Sequence, residues 1–337
     1  MSIKLKDIAD KIGVSPSTIS KVINNKPGVG DQLRQEILQK VQEMNLRPKK
    51  NVGGFLKEDT INIQLFIRRN NTTESDPFYS LIQEGISQEL QNHKINLLLY
   101  YLNENSIDET TFNKIYQTND IKGNILIGAD FDNDFLSKIK KLHIPTVLID
   151  NFFPGLSSVN TNNSQGALLA IEHLTQMGHK QIAFLSGPLE HKSIEQRNNG
   201  YLTGLNKFVG KRSNPFVINS DGVSVDDGYN SVKNTSLKNY TAIFAATDKL
   251  AIGAIKALRE EGIKVPDDIS IIGFDDIEWG LHTDPSLTSI NIPKQQIGIA
   301  AARLFLNLYD EPELNGADMK INTSLIQRHS VKILHDS

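Results

Sequence analysis

The sequence predicts a small all-α helix-turn-helix headpiece followed by an α/β body of two doubly wound lobes. Three observations carry this. The first fifty residues read as a short amphipathic helix, a glycine turn and a Ser-capped second helix. From residue 61 strand and helix signals alternate, and the series restarts near residue 166. The charge balance also differs between the two parts.

In the headpiece, Leu5, Ile8, Ala9 and Ile12 form one helical stripe that a two-turn helix buries. Gly13 supplies a left-handed turn, and Val14 plugs the corner between the helices. Ser15 is a good N-cap, with Pro16 at N1, where its missing N–H costs nothing. Ile19, Val22 and Ile23 then face inward, leaving Ser17, Thr18, Ser20 and Lys21 outward. A second helix with an exposed polar N-terminal face is what enters a major groove in this motif. Ser17 and Lys21 lie four apart, so both reach base edges, with Lys21 suited to guanine O6 and N7. Pro16 contacts bases only through apolar surface. Ser15, Pro16, Ser17, Thr18, Ser20, Lys21 and Asn24 are the candidate DNA-contacting residues of this part. A third helix over 32–44 turns Leu33, Ile37, Val41 and Met44 inward.

The whole chain carries −3, but residues 1–57 hold eleven Lys/Arg against five Asp/Glu, a balance of +6. The remaining 280 residues therefore carry −9. Basic charge concentrated in the reading head is the electrostatic footprint of DNA binding. With no cysteine, disulfides and thiolate metal sites are excluded. The N-terminus alternates Lys with apolar residues and lacks the apolar run of a signal peptide. No segment approaches the ~20 apolar residues that span a membrane, so a cytoplasmic location is expected.

In the body, Ile61–Ile67 reads as a first strand, Phe78–Gln91 as a helix and Ile95–Tyr101 as a second strand. Asn124–Gly128 and Pro145–Asp150 are further buried strands, short β-branched runs bounded by turn residues. The pattern then repeats: helix Gly166–Met177, strand Gln181–Gly187, helix Arg197–Phe208, strand Thr241–Ala246, helix Leu250–Glu261 and strand Ile269–Asp276. Two successive βαβ series imply two doubly wound lobes, whose ligands bind beyond the carboxyl ends of the strands.

Longer motifs run through both parts. They are Lys6-Asp-Ile-Ala, Val14-Ser-x-Ser-Thr-Ile-Ser-Lys-Val-Ile-Asn and Arg47-Pro48 in the headpiece. In the body they are Glu172-His-Leu-x-x-Met-Gly-His-Lys-x-Ile-Ala-Phe, Arg197-x-x-Gly-Tyr, Val265-Pro-Asp-Asp-Ile-Ser-Ile-Ile-Gly-Phe-Asp-Asp and Pro285-x-Leu-Thr-Ser-Ile. With these, the chain resembles the lactose-repressor/galactose-repressor family from end to end, regulators whose body is similar to periplasmic sugar-binding proteins. The resemblance implies a headpiece over 1–47, a hinge linker over 48–59 and an effector-binding and dimerisation domain over 60–337. Its N-terminal lobe covers about 60–160 and 291–320, and its C-terminal lobe about 161–290 and 321–337.

The resemblance also implies site residues. Asp275 ends a strand at the cleft and accepts from sugar hydroxyls, while Arg197 offers a planar fork of donors. The other reading of this pair is an interlobe salt bridge. Phe78 and Tyr79 stack on a sugar face or pack in the core. Asn162 and Thr247 stand where relatives usually have Asp and Asn. Trp279 walls the cleft or packs on a neighbouring loop, and Arg68 and Arg69 meet an anionic ligand or form a solvated rim. Relatives join the parts by a hinge that turns helical on DNA and wedges a Leu into the minor groove. Here that run contains Gly53 and Gly54, each weakening a helix by ~1 kcal/mol relative to Ala, and Phe55 takes the wedge position beside Leu56.

The implied function is a sequence-specific DNA-binding transcriptional regulator, a repressor, acting as a homodimer on a palindromic double-stranded operator. Its affinity is controlled by a small ligand, a sugar or sugar derivative, with no cofactor and no membrane partner. No leucine heptads follow the last strand, which favours a dimer over a tetramer. A solute-binding protein of a sugar transport system shares the body but not the headpiece. An enzyme is disfavoured, since no nucleophile elbow, metal-spaced His pair or Gly-rich phosphate loop appears. Phe55→Ala should lower operator affinity and DNA bending together in a gel-shift and bending assay; unchanged bending would remove the wedge.

Overall fold

The computed structural model describes residues 9, 13–23, 28–30, 33–37, 60–68, 77–102, 107–129, 131–210 and 213–334. The chain divides into two compact units, Met1–Asp59 and Thr60–Ser337.

In the first unit the turn and cap form as the residue types dictate. Gly13 sits at φ +79°, and the N–H groups of Gly13 and Val14 donate to the Ala9 carbonyl at 2.9 and 3.1 Å. Helix α1 spans Pro16–Ile23, and the Ser15 hydroxyl accepts from the Thr18 N–H at 3.1 Å. Ala9, Ile19, Val22 and Ile37 are buried, while Ser17 and Lys21 are exposed. Leu33 departs from its expected inward position. It is 40% exposed, lying in the first turn of the helical stretch 33–37, one turn before the buried Ile37. Val41 and Met44 lie outside the described residues.

The second unit holds two six-stranded sheets. The N-terminal lobe contains β1 (Ile61–Arg68), α2 (Pro77–Leu90), β2 (Ile95–Leu102), α3 (Glu109–Thr118), β3 (Ile121–Ile127), α4 (Asn133–Lys141), β4 (Thr146–Ile149) and β5 (Ser157–Thr161). The chain crosses at Asn162 and builds α5 (Asn163–Gln176), β6 (Ile182–Ser186), α6 (Lys192–Gly204), β7 (Phe216–Asn219), α7 (Val225–Lys233), β8 (Ala242–Ala245), α8 (Asp248–Glu260), β9 (Ser270–Asp275) and β10 (Thr288–Asn291). It returns at Ile292–Pro293 for α9 (Lys294–Asp310) and β11 (Asp318–Ile321), then crosses again for β12 (Ser324–Ile326). The sheet orders are β11-β5-β4-β3-β1-β2 and β12-β10-β9-β8-β6-β7, parallel except for the antiparallel pair β10–β12.

Strands of parallel sheets are covered on both faces and read as apolar runs, as in the fully buried Thr146–Ile149 and Ala242–Ala245. The sequence reading leaves out α3, α4, β5, β7, α7, β10, α9, β11 and β12, although α4 buries a stripe of Phe135, Leu136 and Ile139 and α9 is largely apolar. On the N-terminal lobe α2 and α9 cross backbone to backbone: a Cβ at Gly85 would lie 2.1 Å from the Gln295 carbonyl oxygen, and one at Gly298 equally close to that of Ile82.

On the C-terminal lobe the motif residue His179 is fully buried. Its ring nitrogens meet Thr241 Oγ1 at 3.0 Å and the Lys332 carbonyl at 3.2 Å, tying the last described segment to the sheet. Burial lowers its pKa to about 4, against the smaller opposing effect of the Lys332 hydrogen bond. The folded value lies below the ordinary 6.5, so the neutral ring stabilises fully above that pH and the gain fades as pH falls toward 4. Urea unfolding should therefore weaken by up to about 3 kcal/mol across that window. His179→Gln should be less stable at pH 7.5 and show a flatter profile; an equally steep one would place the titration elsewhere.

Candidate functional site

In both sheets the strand order reverses beside the first strand, at β1/β3 and at β6/β8. Such switch points open a crevice at the carboxyl ends of the strands. Arg197, on α6, is 5% exposed at the second of them. Its Nη1 donates to the Ala246 carbonyl at 2.6 Å and lies 3.0 Å from Asp275 Oδ1. Its Nε donates to Asn163 Oδ1 at 2.9 Å, and the guanidinium lies 3.8 Å from the Phe274 ring centroid. The expected pairing of Arg197 with Asp275 is therefore present, but within one lobe rather than between two. Helix α6 packs on the sheet that contains β8 and β9, so its second turn reaches both strand ends without leaving the C-terminal lobe.

Asp275 and Asp276 both adopt left-handed backbone, φ +108° and +51°. Residues other than glycine hold such conformations where their surroundings over-determine them. Here the Lys294 ammonium donates to both Asp275 and Asp276 carbonyls, the latter at 3.1 Å. The Asp276 N–H donates to Ser289 Oγ at 3.1 Å, and Asp276 Oδ1 pairs with Arg328 at 2.6 Å. Behind them Asp248 is fully buried, accepting from Ser289 Oγ at 2.6 Å and from the Ile277 N–H at 2.8 Å. Burial first, and then the Asp275 charge, push its carboxyl well above the usual carboxylate range.

A cleft of about 320 Å³ opens between the lobes. Ala129, Asp150, Asn151 and Phe152 line it from the ends of β3 and β4, and Asn163, Lys192, Ser193 and Gln196 from α5 and α6. Asn160, Asp318 and Lys320 close it along β5 and β11. Sequence reasoning missed these residues. Asp150 had a usable signal, because it ends an apolar strand as Asp275 does and shares its left-handed backbone, φ +57°.

The remaining expected residues fall in several places. Phe78 and Tyr79 open the second and third positions of α2, half-buried and edge-to-face at 5.3 Å, with Lys294 Nζ 5.7 Å from the Phe78 ring. Both pack against the main core, and Phe78 also adjoins the cation that holds Asp275. Thr247 caps α8, its hydroxyl accepting from the Leu250 N–H at 3.2 Å. Asn162 donates to Asn322 at 2.9 Å, linking two of the chain crossings. Trp279, in the 3₁₀ turn Glu278–His282, is 43% exposed and absent from the lining of the 320 Å³ cleft. Arg68 ends β1 and donates to the Leu102 carbonyl at 3.3 Å. In the first unit, Ser15 Oγ lies 2.7 Å from Ser17 Oγ and 2.8 Å from Thr18 Oγ1, so the cap orders the start of the exposed face. Pro16 is the first residue of α1 and Lys21 lies in its last turn. The Ser20 side chain, Asn24, Phe55, Leu56 and Arg69 lie outside the described residues. Among the described residues no group of three or more His, Cys, Asp or Glu could hold a metal ion.

Two family profiles match the chain: bacterial regulatory proteins, lacI family, over residues 4–49, and periplasmic binding protein-like domain over residues 171–331. The chain is 29% identical to the probable HTH-type transcriptional repressor ExuR of Bacillus subtilis, over 98% of this chain and 99% of that protein. It is similar to the crystal structure of a LacI family transcriptional regulator from Enterococcus faecium with bound ribose. That likeness has TM-score 0.69 and 25% identity, and covers 81% of this chain and 100% of the other. A lac repressor dimer bound to operator and the anti-inducer ONPF shares the fold, at TM-score 0.69 and 23% identity over 98% of this chain and 100% of that one.

Removing the guanidinium would leave a carboxylate and a carbonyl in a buried setting without their cation. Arg197→Met should cost about 3 kcal/mol in urea unfolding, and Asp275→Asn about half that, since the amide oxygen still accepts. A wild-type midpoint for Arg197→Met would mean that the guanidinium does not hold this lobe together.

Proposed function

Because the chain belongs to the lacI family of bacterial regulatory proteins, we infer that it is a sequence-specific DNA-binding transcriptional repressor whose operator affinity is set by a small ligand between its lobes. The observation that carries this reading is the cleft itself. It is lined by Asp150, Asn151 and Asn160 of the N-terminal lobe and by Asn163, Ser193 and Gln196 of the C-terminal lobe. That inventory suits a polyhydroxylated ligand, whose hydroxyls both donate to carboxylates and accept from amides. The ribose in the Enterococcus faecium relative supports a carbohydrate here. The chain acts as a homodimer on palindromic DNA, so that a two-fold protein meets two half-sites. Leu81 on α2 and Leu99 and Tyr101 on the edge strand β2, each 40–50% exposed, offer apolar surface for pairing on the N-terminal lobe.

Helix α1 is the reading element, presenting Ser17 and Lys21. A ligand that binds one lobe arrangement better than another shifts the population toward it by that difference in affinity. The N-terminal lobe starts at β1, directly after the linker, so its movement is what the headpieces feel. No helix among the described residues is long and apolar enough to cross a membrane, and regulation of DNA places the protein in the cytoplasm.

A thermal-shift screen of sugars, sugar acids, sugar phosphates and nucleobases tests the ligand half of the reading. At about 100 times its Kd a ligand adds ~2.7 kcal/mol, worth several degrees. Asp150→Ala should abolish that shift, and a retained shift would place the ligand outside the cleft. For the DNA half, Lys21→Ala should weaken operator binding by ~1–3 kcal/mol and relax discrimination at one guanine. Uniform weakening on every sequence would make Lys21 a phosphate contact.

A further inference from the structure

Three cations hold the corner formed by Asp275 and Asp276, and they do not come from the same lobe. Arg197 on α6 pairs with the Asp275 carboxylate, and Arg328, just after β12, with that of Asp276. Ser289 on β10 accepts from the Asp276 N–H. All of these belong to the C-terminal lobe. Lys294 is the first residue of α9, a helix packed on the N-terminal lobe. It is only 5% exposed, and its ammonium donates to the carbonyls of Asp275, of Asp276 at 3.1 Å and of Ile292 at 3.4 Å. From the N-terminal lobe, the Phe78 ring centroid lies 5.7 Å from the same nitrogen.

Both ends of this contact are fixed. A Cβ at Gly298 would lie 2.1 Å from the Ile82 carbonyl oxygen, so α9 and α2 cross backbone to backbone one turn beyond Lys294. At the other end Asp275 and Asp276 hold left-handed backbone, φ +108° and +51°, which persists only where the surroundings over-determine it. An ammonium taken out of water also keeps its acceptors, because losing them leaves it unpaired. Helix α9 then runs for about 25 Å away from the corner. The segment after it reaches the amino end of the sheet, where the Gly316 N–H donates at 2.9 Å to Ser157 Oγ at the first residue of β5. The strands are parallel, so this is also the end at which β1 begins at Ile61, directly after the linker.

We propose that Lys294 is a positioning residue that couples the Asp275 corner to the linker end of the N-terminal lobe. Its ammonium is the pivot on which the lobes turn, and α9 is the lever that carries the turn toward the start of β1. This goes beyond the repressor reading, since it concerns the body alone and holds whatever the cleft binds. A cation with a purely structural task adds stability to the corner. A pivot also confines the angle between the lobes, and that angle separates the two roles.

The chain has no cysteine, so two introduced ones carry the only spin labels. Lys138→Cys on α4 and Asn230→Cys on α7, both exposed, put one label on each lobe of the full-length chain. Labelled chain is diluted into excess unlabelled chain, and pulsed electron paramagnetic resonance then reads distances within one chain. The expected result is a narrow distribution in the parent, its width at least about doubled by Lys294→Met. Lys294→Gln is a second neutral variant should the first fail to fold, with the same expected broadening. Lys294→Arg, whose cation still reaches the carbonyls, should stay narrow. Arg303→Met is the control: it removes an exposed ion pair with Glu89 farther along α9, within one lobe, and should leave the width unchanged. Neutral variants as narrow as the parent would overturn the proposal. So would a parent already as broad as they are, or equal broadening by Lys294→Arg or Arg303→Met.

Discussion

The C-terminal lobe is organised around one buried cation. Taking a guanidinium out of water is expensive unless its donors are met, and Arg197 meets them with a carboxylate, an amide oxygen and a main-chain carbonyl. Those partners come from different elements: Asn163 opens α5, Ala246 follows β8, and Asp275 ends β9. The Phe274 ring closes one face of the guanidinium. A displacement of any one of these elements leaves a charge or a carbonyl unpaired, so they are fixed together. The carboxyl ends of β8 and β9 are thereby held in one arrangement.

The same site shows why its backbone is unusual. Asp275 and Asp276 hold left-handed conformations because every polar group around them has a designated partner: Lys294 on the carbonyls, Ser289 on an N–H, Arg328 on the Asp276 carboxylate. Asp248 would repel Asp275 if both were ionised in this dry setting. Burial and that repulsion act in the same direction on Asp248, which favours its neutral form. Two acids of the same type are thus separated in role by environment alone.

Much of this is readable from residue order, and the limits are physical. Arg197 and Asp275 are reached through the family resemblance, carried by Arg197-x-x-Gly-Tyr and the Gly-Phe-Asp-Asp run that ends at Asp276. Ser15, Pro16 and Gly13 are legible because cap and turn chemistry is local. The Asp150–Asn160–Lys320 side of the cleft is not, because it assembles from strands far apart in sequence, one of them β11, only four residues long and mostly exposed. Thr247 is open on residue type for a different reason. At a helix N-cap its hydroxyl has a structural task, and type alone does not say whether a cap also faces ligand.

The chain crossings decide how such a rigid site can still report on occupancy. Asn162 bonds Asn322, and Gln165 accepts from the Thr323 N–H and hydroxyl at 3.1 and 2.8 Å, so two crossings are knotted together by side-chain amides. The third starts α9, and its first residue, Lys294, reaches back to the carbonyls that hold Asp275 in place. Lys294 belongs to a helix packed on α2 of the N-terminal lobe, yet its ammonium ends at β9 of the other, within 5.7 Å of the Phe78 ring. Rotation of one lobe on the other must therefore keep this contact as a pivot or break three main-chain acceptors from a buried cation at once, counting the Ile292 carbonyl at 3.4 Å. Breaking it is costly, since it leaves the ammonium unpaired. Movement is thereby confined to angles that preserve the pivot, and the ligand's task reduces to choosing among them.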